Sequence, residues 1–362
     1  MPRPAAAMLV LLTALPAAAR AQTPPPAGTP QAPAPAAAPV PCDQAVPPCG
    51  PDSLPKAGVR KGEVITGEFA ASAMYPGTWR EYWVYIPAGL DRTRPAPVMV
   101  FQDGLQYQAP VVFDNLIARK AIPPMVGIFV MHGRVKAGRD DARDRMNRSY
   151  EYDSFNDLYA RFLLEEMLPF VEKTHGVVLT KDPNARAIAG NSSGAIAAFA
   201  AAWTRPDAFR RVFSAIGTYV GLRGGNNVPL HVRLAEPKPI RVFLQDGKND
   251  LNNYTGDWFM TNQDMLSALT FAGYEVEHEW GDGEHNSRHA TAIFPKVVEW
   301  LWKGYPAPIV ANAAGASKQD VTQIAIAGED WQEIGDPGHV RDGMAGGPDQ
   351  RVYTTARPRE HS

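Results

Sequence analysis

The chain has 362 residues, 45% hydrophobic and 20% charged, with a formal net charge of −2, which is ample apolar material for one large α/β domain with its own core. Near-neutral balance and a pI of about 6.5 leave no global field to favour nucleic acid or an anionic membrane, so neither is expected as a partner. With only 2 cysteines, a disulfide scaffold and a closed cysteine zinc site are excluded, and no metal or other cofactor is expected.

In chain order, Met1 to Ala21 carries Arg3, an apolar run at Met8-Leu9-Val10-Leu11-Leu12 and an Ala19-Arg20-Ala21 ending. This is the layout of a secretory signal cleaved before Gln22, and it leads us to expect a periplasmic or secreted protein. The apolar run is too short to hold the mature chain as a stable membrane anchor. Residues 22–61 read as a tether rich in proline and alanine, with Cys42 and Cys49 near its end expected to close a local disulfide. The residues from 62 to 305 read as the folded domain, and those from 306 to 362 as a linker and a largely irregular tail with one strand-like run, Arg351 to Thr354.

Within the domain, Gly62 to Met74 and Thr78 to Ile86 look like an antiparallel pair around a Pro76-Gly77 turn. Val98 to Gln102, Val126 to Met131, Arg186 to Ala189, Arg211 to Ile216, Ile240 to Gln245 and Glu275 to Trp280 read as further strands, several of them continuous apolar runs suited to burial on both faces. Helical patterns fall between them at Val111 to Lys120, Phe155 to Thr174, Gly194 to Trp203, Trp258 to Ala272 and His289 to Lys303, with Asp153 or Ser154 as the expected N-cap of the second. The alternation describes an α/β fold: a central, mostly parallel eight-stranded sheet flanked by helices.

After the fifth strand comes Gly190-Asn191-Ser192-Ser193-Gly194. A serine at a sharp strand-to-helix turn lifts its hydroxyl clear of the sheet, and the flanking glycines keep side chains out of the bend. The pattern resembles the nucleophile elbow of α/β-hydrolases, where acid and base follow on the loops after the seventh and eighth strands. The seventh-strand loop, Gln245-Asp246-Gly247-Lys248-Asn249-Asp250, offers Asp250 as the acid, with Asp246 and Asp257 as rivals. The eighth-strand loop, Gly281-Asp282-Gly283-Glu284-His285, offers His285 as the base, with His289 as its rival. Oxyanion donors are expected from the backbone N–H groups of Ser193 and Leu105, the latter in the loop Asp103-Gly104-Leu105-Gln106 after the third strand.

These motifs, with Leu168-Pro169-Phe170-Val171-Glu172 and Arg205-Pro206-Asp207-Ala208-Phe209, resemble the enterochelin esterase-like (esterase D type) branch of α/β-hydrolases, from about Gly62 to Tyr305. That branch also holds feruloyl and acetyl-xylan esterases and mycolyltransferases. The resemblance implies a serine carboxylester hydrolase with Ser192, Asp250 and His285 as its triad, acting on a small-molecule or carbohydrate-linked ester, with acyl transfer to a sugar as the alternative and a non-catalytic binding module as the least favoured reading. Two positions depart from the pattern: Ala195 stands where many relatives have a second glycine, and Gly283-Glu284-His285 where they have Gly-Gly-His. In the tail, Asp330-Trp331, Asp342-Gly343 and Val352-Tyr353-Thr354-Thr355 resemble the start of a gluconolactonase-like propeller, too short to close one.

Substrate contacts are expected from the loops 134–152 and 218–236. Gln106, Arg148, Tyr150, Tyr219, Trp258 and His289 are the candidates, together with Tyr107. The charge-dense stretch Arg134 to Arg148 mixes both signs and reads first as a solvated loop laced with weak ion pairs, and alternatively as one in which Arg143, Arg145 or Arg148 holds an acidic or polar substrate group.

Overall fold

Apolar and aromatic runs bounded by turns become the strands of one sheet in the computed structural model, which describes residues 40–139 and 141–312 and two further short strands. The sheet strands are β1 (Glu63–Phe69), β2 (Arg80–Ile86), β3 (Val98–Gln102), β4 (Val126–Val130), β5 (Arg186–Asn191), β6 (Arg211–Ala215), β7 (Arg241–Gly247) and β8 (Glu275–Gly281). Their spatial order is β1-β2-β4-β3-β5-β6-β7-β8. The pairs β1/β2 and β2/β4 are antiparallel, and every pair from β4 onward is parallel.

Successive side chains of a strand point to opposite faces, and here they feed two separate cores. Val98 and Val100 of β3 enter one, and Met99 and Phe101 enter the other. The first lies under α3, the continuous run Leu158–Arg161, Phe162–Met167 (a π-helical stretch) and Leu168–His175, and under α4 (Ser193–Thr204) and α6 (Trp258–Phe271). The second lies under α1 (Ala109–Ala118) and α7 (Arg288–Trp302), where Phe294 packs among Phe101, Tyr107, Phe113 and Phe213. Pro295 inside α7 sits on the residue after that cluster.

The structure departs from the expected elements in four places. The N-cap of α3 is Asp157, with no side-chain cap bond, and Asp153 instead closes α2 (Arg148–Tyr152). That helix and α5 (Val228–Leu234) fall in loops where no helix was expected, because each is too short to show a period. Residues 40–61 are no free tether: the Gln108 amide donates to the Val40 carbonyl, and Asn115 donates to those of Asp52 and Leu54. The expected Cys42–Cys49 disulfide is present in this segment. In the tail, Arg341–Gly346 pairs antiparallel with Val352–Ala356, where one strand had been expected. The signal-like residues 1–21 and the Asp330-Trp331 part of the propeller-like stretch lie outside the described residues.

A buried ion pair ties the antiparallel end of the sheet to the short helix α2. Arg80 of β2 and Glu151 of α2, both side chains fully buried, meet through two bonds of 2.7 and 3.1 Å. Glu151 also accepts from the Gly133 N–H and the Asn147 amide, and the Arg80 guanidinium lies 4.2 Å over the Phe162 ring. Removing one partner strands a buried charge, which costs about 3–5 kcal/mol. Glu151→Ala is therefore expected to lower the urea midpoint by that amount of stability with an unchanged slope, and equality with wild type in a denaturation curve would contradict the role.

Candidate active site

The elbow forms where β5 runs into α4. Ser192 sits at φ 57°, ψ −124°, a conformation that a side chain tolerates only when its surroundings enforce it. Its N–H donates to the Ala215 carbonyl at 2.9 Å, and its own carbonyl accepts from Ala195 at 2.9 Å as the helix begins. A β-carbon at position 190 would collide with the Gly194 carbonyl, and one at position 194 would press the Gln102 β-carbon at 3.0 Å and the Asp103 carboxylate at 3.2 Å. Gly190 is therefore a steric requirement of the turn, while a side chain at 194 would need its neighbours to give by a few tenths of an ångström.

The loops after β7 and β8 are stitched together by backbone bonds, from Lys248 N–H to Gly281 and from Asn249 N–H to Gly283. A side chain at Gly247 would collide with Gly283, so the close approach depends on that glycine. This brings Asp250 and His285 into contact. Asp250 Oδ1 lies 2.6 Å from His285 Nδ1, and His285 Nε2 lies 2.8 Å from Ser192 Oγ. The Asp250 side chain is buried and that of His285 is 20% exposed. Burial alone would raise the Asp250 carboxyl, but bonds from His285 and Asp246 and the nearby imidazole outweigh it and hold it below the usual range. Asp246 goes the other way, pushed up to about 9 by burial and by its bond to and repulsion from Asp250. Asp257, the other rival for the acid, caps α6 through Met260 N–H.

The loop Asp103-Gly104-Leu105-Gln106 is clamped to the elbow. Asp103 and Gly104 both have positive φ, 63° and 81°, a turn that glycine makes without strain at the second of these positions. Asn191 donates to Gln106 Oε1 at 3.0 Å and accepts from the Tyr107 hydroxyl at 2.9 Å. Ser193 is the first residue of α4, where helix N–H groups lack partners within the helix.

Arg148 was expected to face substrate, but its guanidinium is engaged with Asp103, through Nε at 3.0 Å and Nη2 at 2.7 Å, with Nη2 also 3.5 Å from the Asn191 carbonyl. His132 Nδ1 approaches the same carboxylate at 3.3 Å. Burial pushes Asp103 up, and Arg148 and His132 more than offset this, leaving it below its ordinary value and Arg148 above its own. Tyr219 is fully buried with its hydroxyl 2.8 Å from Ser214 Oγ, so it is a core residue and not a substrate contact. His289 is also buried, between Gln245 at 3.2 Å and Glu279 at 3.6 Å, which removes it both as a substrate contact and as rival to His285. Trp258 does border the site: its ring stands edge-on to His285 at 5.6 Å, and its N–H reaches Thr218 Oγ1 at 3.4 Å. Tyr150 is exposed beside Arg223, and Arg145 lies exposed in a short strand pair. Thr218, whose hydroxyl is 3.3 Å from Ser192 Oγ, and the Asp103–His132–Arg148 group were missed from the sequence, since nothing in local pattern couples residues 26 to 45 positions apart.

Among solved structures, a ferulic acid esterase aligns with 67% of this chain and 98% of its own at 18% identity and a TM-score of 0.53. The ferulic acid esterase of the anaerobic fungus Anaeromyces mucronatus covers 70% of this chain and 96% of its own at 17% identity and 0.53. The enterobactin esterase of Shigella flexneri, solved in the presence of enterobactin, gives 20% identity and 0.54 over 68% of this chain, which spans 60% of that longer protein. At these identities the likeness is one of fold. No curated protein sequence matches the chain. The model of the family described as "Putative esterase" matches residues 74–285, more than half the length, so the chain belongs to that esterase family, and its sheet order is that of the α/β-hydrolase fold.

Proposed function

We propose that the protein is a secreted serine carboxylester hydrolase working through an acyl-enzyme. The observation that carries this reading is the continuous hydrogen-bonded line from Asp250 through His285 to Ser192 Oγ at 2.6 and 2.8 Å. A serine hydroxyl becomes a useful nucleophile when a base removes its proton as it attacks. His285 Nε2 takes the proton, Ser192 Oγ bonds to the ester carbonyl carbon, and the carbonyl electrons move to oxygen. The N–H groups of Leu105 and Ser193 are our donors for that oxyanion. Asp250, held ionised, offsets the charge of the imidazolium and keeps Nδ1 protonated. The imidazolium then protonates the departing alcohol as the acyl–oxygen bond breaks, and water repeats the sequence on the acyl-serine. Names of the structural neighbours direct the first screen to feruloyl esters and to enterobactin-like serine esters.

Ser192→Ala is expected to abolish labelling by a fluorophosphonate probe and to lower kcat by at least about 10³-fold, and Asp250→Asn to lower it by about 10³- to 10⁴-fold. Persistence of wild-type labelling in Ser192→Ala would defeat the proposal.

Arg148 supports the same reading by fixing Asp103 at the base of the oxyanion loop. Arg148→Met should lower kcat about tenfold or more with a smaller change in KM. The sign of its effect on stability follows from the depressed Asp103 carboxyl: the stabilisation is present above the ordinary aspartate range and disappears as pH falls through the lower folded value. Melting curves should show a gap between wild type and Arg148→Met near neutrality that closes in acid, and a gap that widens in acid would refute the assignment.

A further inference from the structure

The triad acid shares its loop with a second buried carboxyl group, and their hydrogen bonds cannot all be satisfied if both are ionised. Asp246, near the end of β7, is fully buried, and its Oδ1 accepts from the Gly247 N–H at 2.6 Å. Asp250 Oδ1 accepts from both the Leu251 N–H at 2.5 Å and His285 Nδ1. This leaves the Oδ2 atom of each as a buried oxygen with no donor. The two carboxyl groups are close enough for each to act strongly on the other's proton affinity. Ionised carboxylates only accept, so two of them facing each other out of water leave both oxygens unsatisfied and add like-charge repulsion. One proton placed between them removes both faults and forms a charge-assisted O–H···O bond.

The surroundings decide which group keeps the proton. Asp250 has the imidazole of His285 and the Leu251 N–H to support its charge. Asp246 has the Gly247 N–H alone, while the charged groups acting on it, Asp250 from its own loop and Asp257 from the start of α6, are both acidic.

We propose that Asp246 is a positioning residue: it stays protonated at working pH and donates a hydrogen bond to Asp250 Oδ2, holding the triad acid ionised and oriented toward His285. The inference rests on the reading of Asp250 as that acid. As pH rises through about 9, Asp246 loses its proton, the bond becomes a repulsion, and Asp250 is no longer held.

The test is the pH dependence of kcat and KM for p-nitrophenyl butyrate, corrected for background hydrolysis, in wild type, Asp246→Asn and Asp246→Leu. Wild type should lose kcat in alkali. The Asn variant retains a donor and has nothing to titrate, so it should keep kcat within about threefold near neutrality and lack the alkaline fall. The Leu variant has no donor and should lose about tenfold or more in kcat, with KM changed less. Should the Leu variant fail to fold, the Asn profile decides alone. An alkaline fall that persists unchanged in Asp246→Asn, or a folded Leu variant with wild-type kcat, overturns the inference while leaving the triad standing. Activity surviving in Ser192→Ala and Asp250→Asn would instead overturn the reading beneath it.

Discussion

The bend at Ser192 is the constraint from which the site's geometry follows. A non-glycine residue at φ 57°, ψ −124° costs about 1–3 kcal/mol, and the structure meets that cost by leaving the chain nowhere else to go. The Ser192 N–H is taken by Ala215 of the neighbouring strand and its carbonyl by the first turn of α4. The helix is rich in small side chains, with Ala195, Ala197, Ala198, Ala200, Ala201 and Ala202 all buried. The small residues let the helix lie close to the sheet where Gly190 meets Gly194. Tight packing behind the elbow therefore offsets the strain in front of it, and the hydroxyl is presented at a fixed point.

Three aspartates around that point show how environment, more than residue type, sets charge. Asp103, Asp246 and Asp250 are all substantially buried. Asp103 is kept ionised by a guanidinium and an imidazole, Asp250 by the imidazole it orients and by donors around it, and Asp246 has neither. Carboxyl groups whose surroundings push them in opposite directions can take different roles within one loop.

The strands and the Ser192, Asp250 and His285 positions that the structure brings together were legible because they depend on local signals: apolar runs, glycine turns, and residues at strand ends. Residues 190–194 carry the elbow in five letters, and the acid and base loops each announce themselves with glycine. What stayed hidden depends on contacts across the fold. Arg148 read as a solvated or substrate-facing arginine because its partner Asp103 is 45 residues earlier. Tyr219 read as a substrate contact because an aromatic in a loop carries no mark of burial, and only the sheet geometry delivers its hydroxyl to Ser214. Residues 40–61 looked unable to order themselves, which holds for their composition alone. Asn115 of α1 supplies the donors that dock them.

The short helix α2 links stability to the site. Its two ends serve different partners: Glu151 is locked into the buried pair with Arg80 of β2, and Arg148, one turn earlier, reaches Asp103 in the loop after β3. Five residues cannot hold a helix in water unaided, so the position of Arg148 is set by the bonds on Glu151. Of the donors that complete the Glu151 shell, Asn147 lies on the 134–152 excursion that reads as a substrate loop and Gly133 immediately precedes it. The excursion is thus pinned at its end by an ion pair excluded from water. Changes at Arg80 or Glu151 would therefore reach Asp103, in the loop after β3, through Arg148.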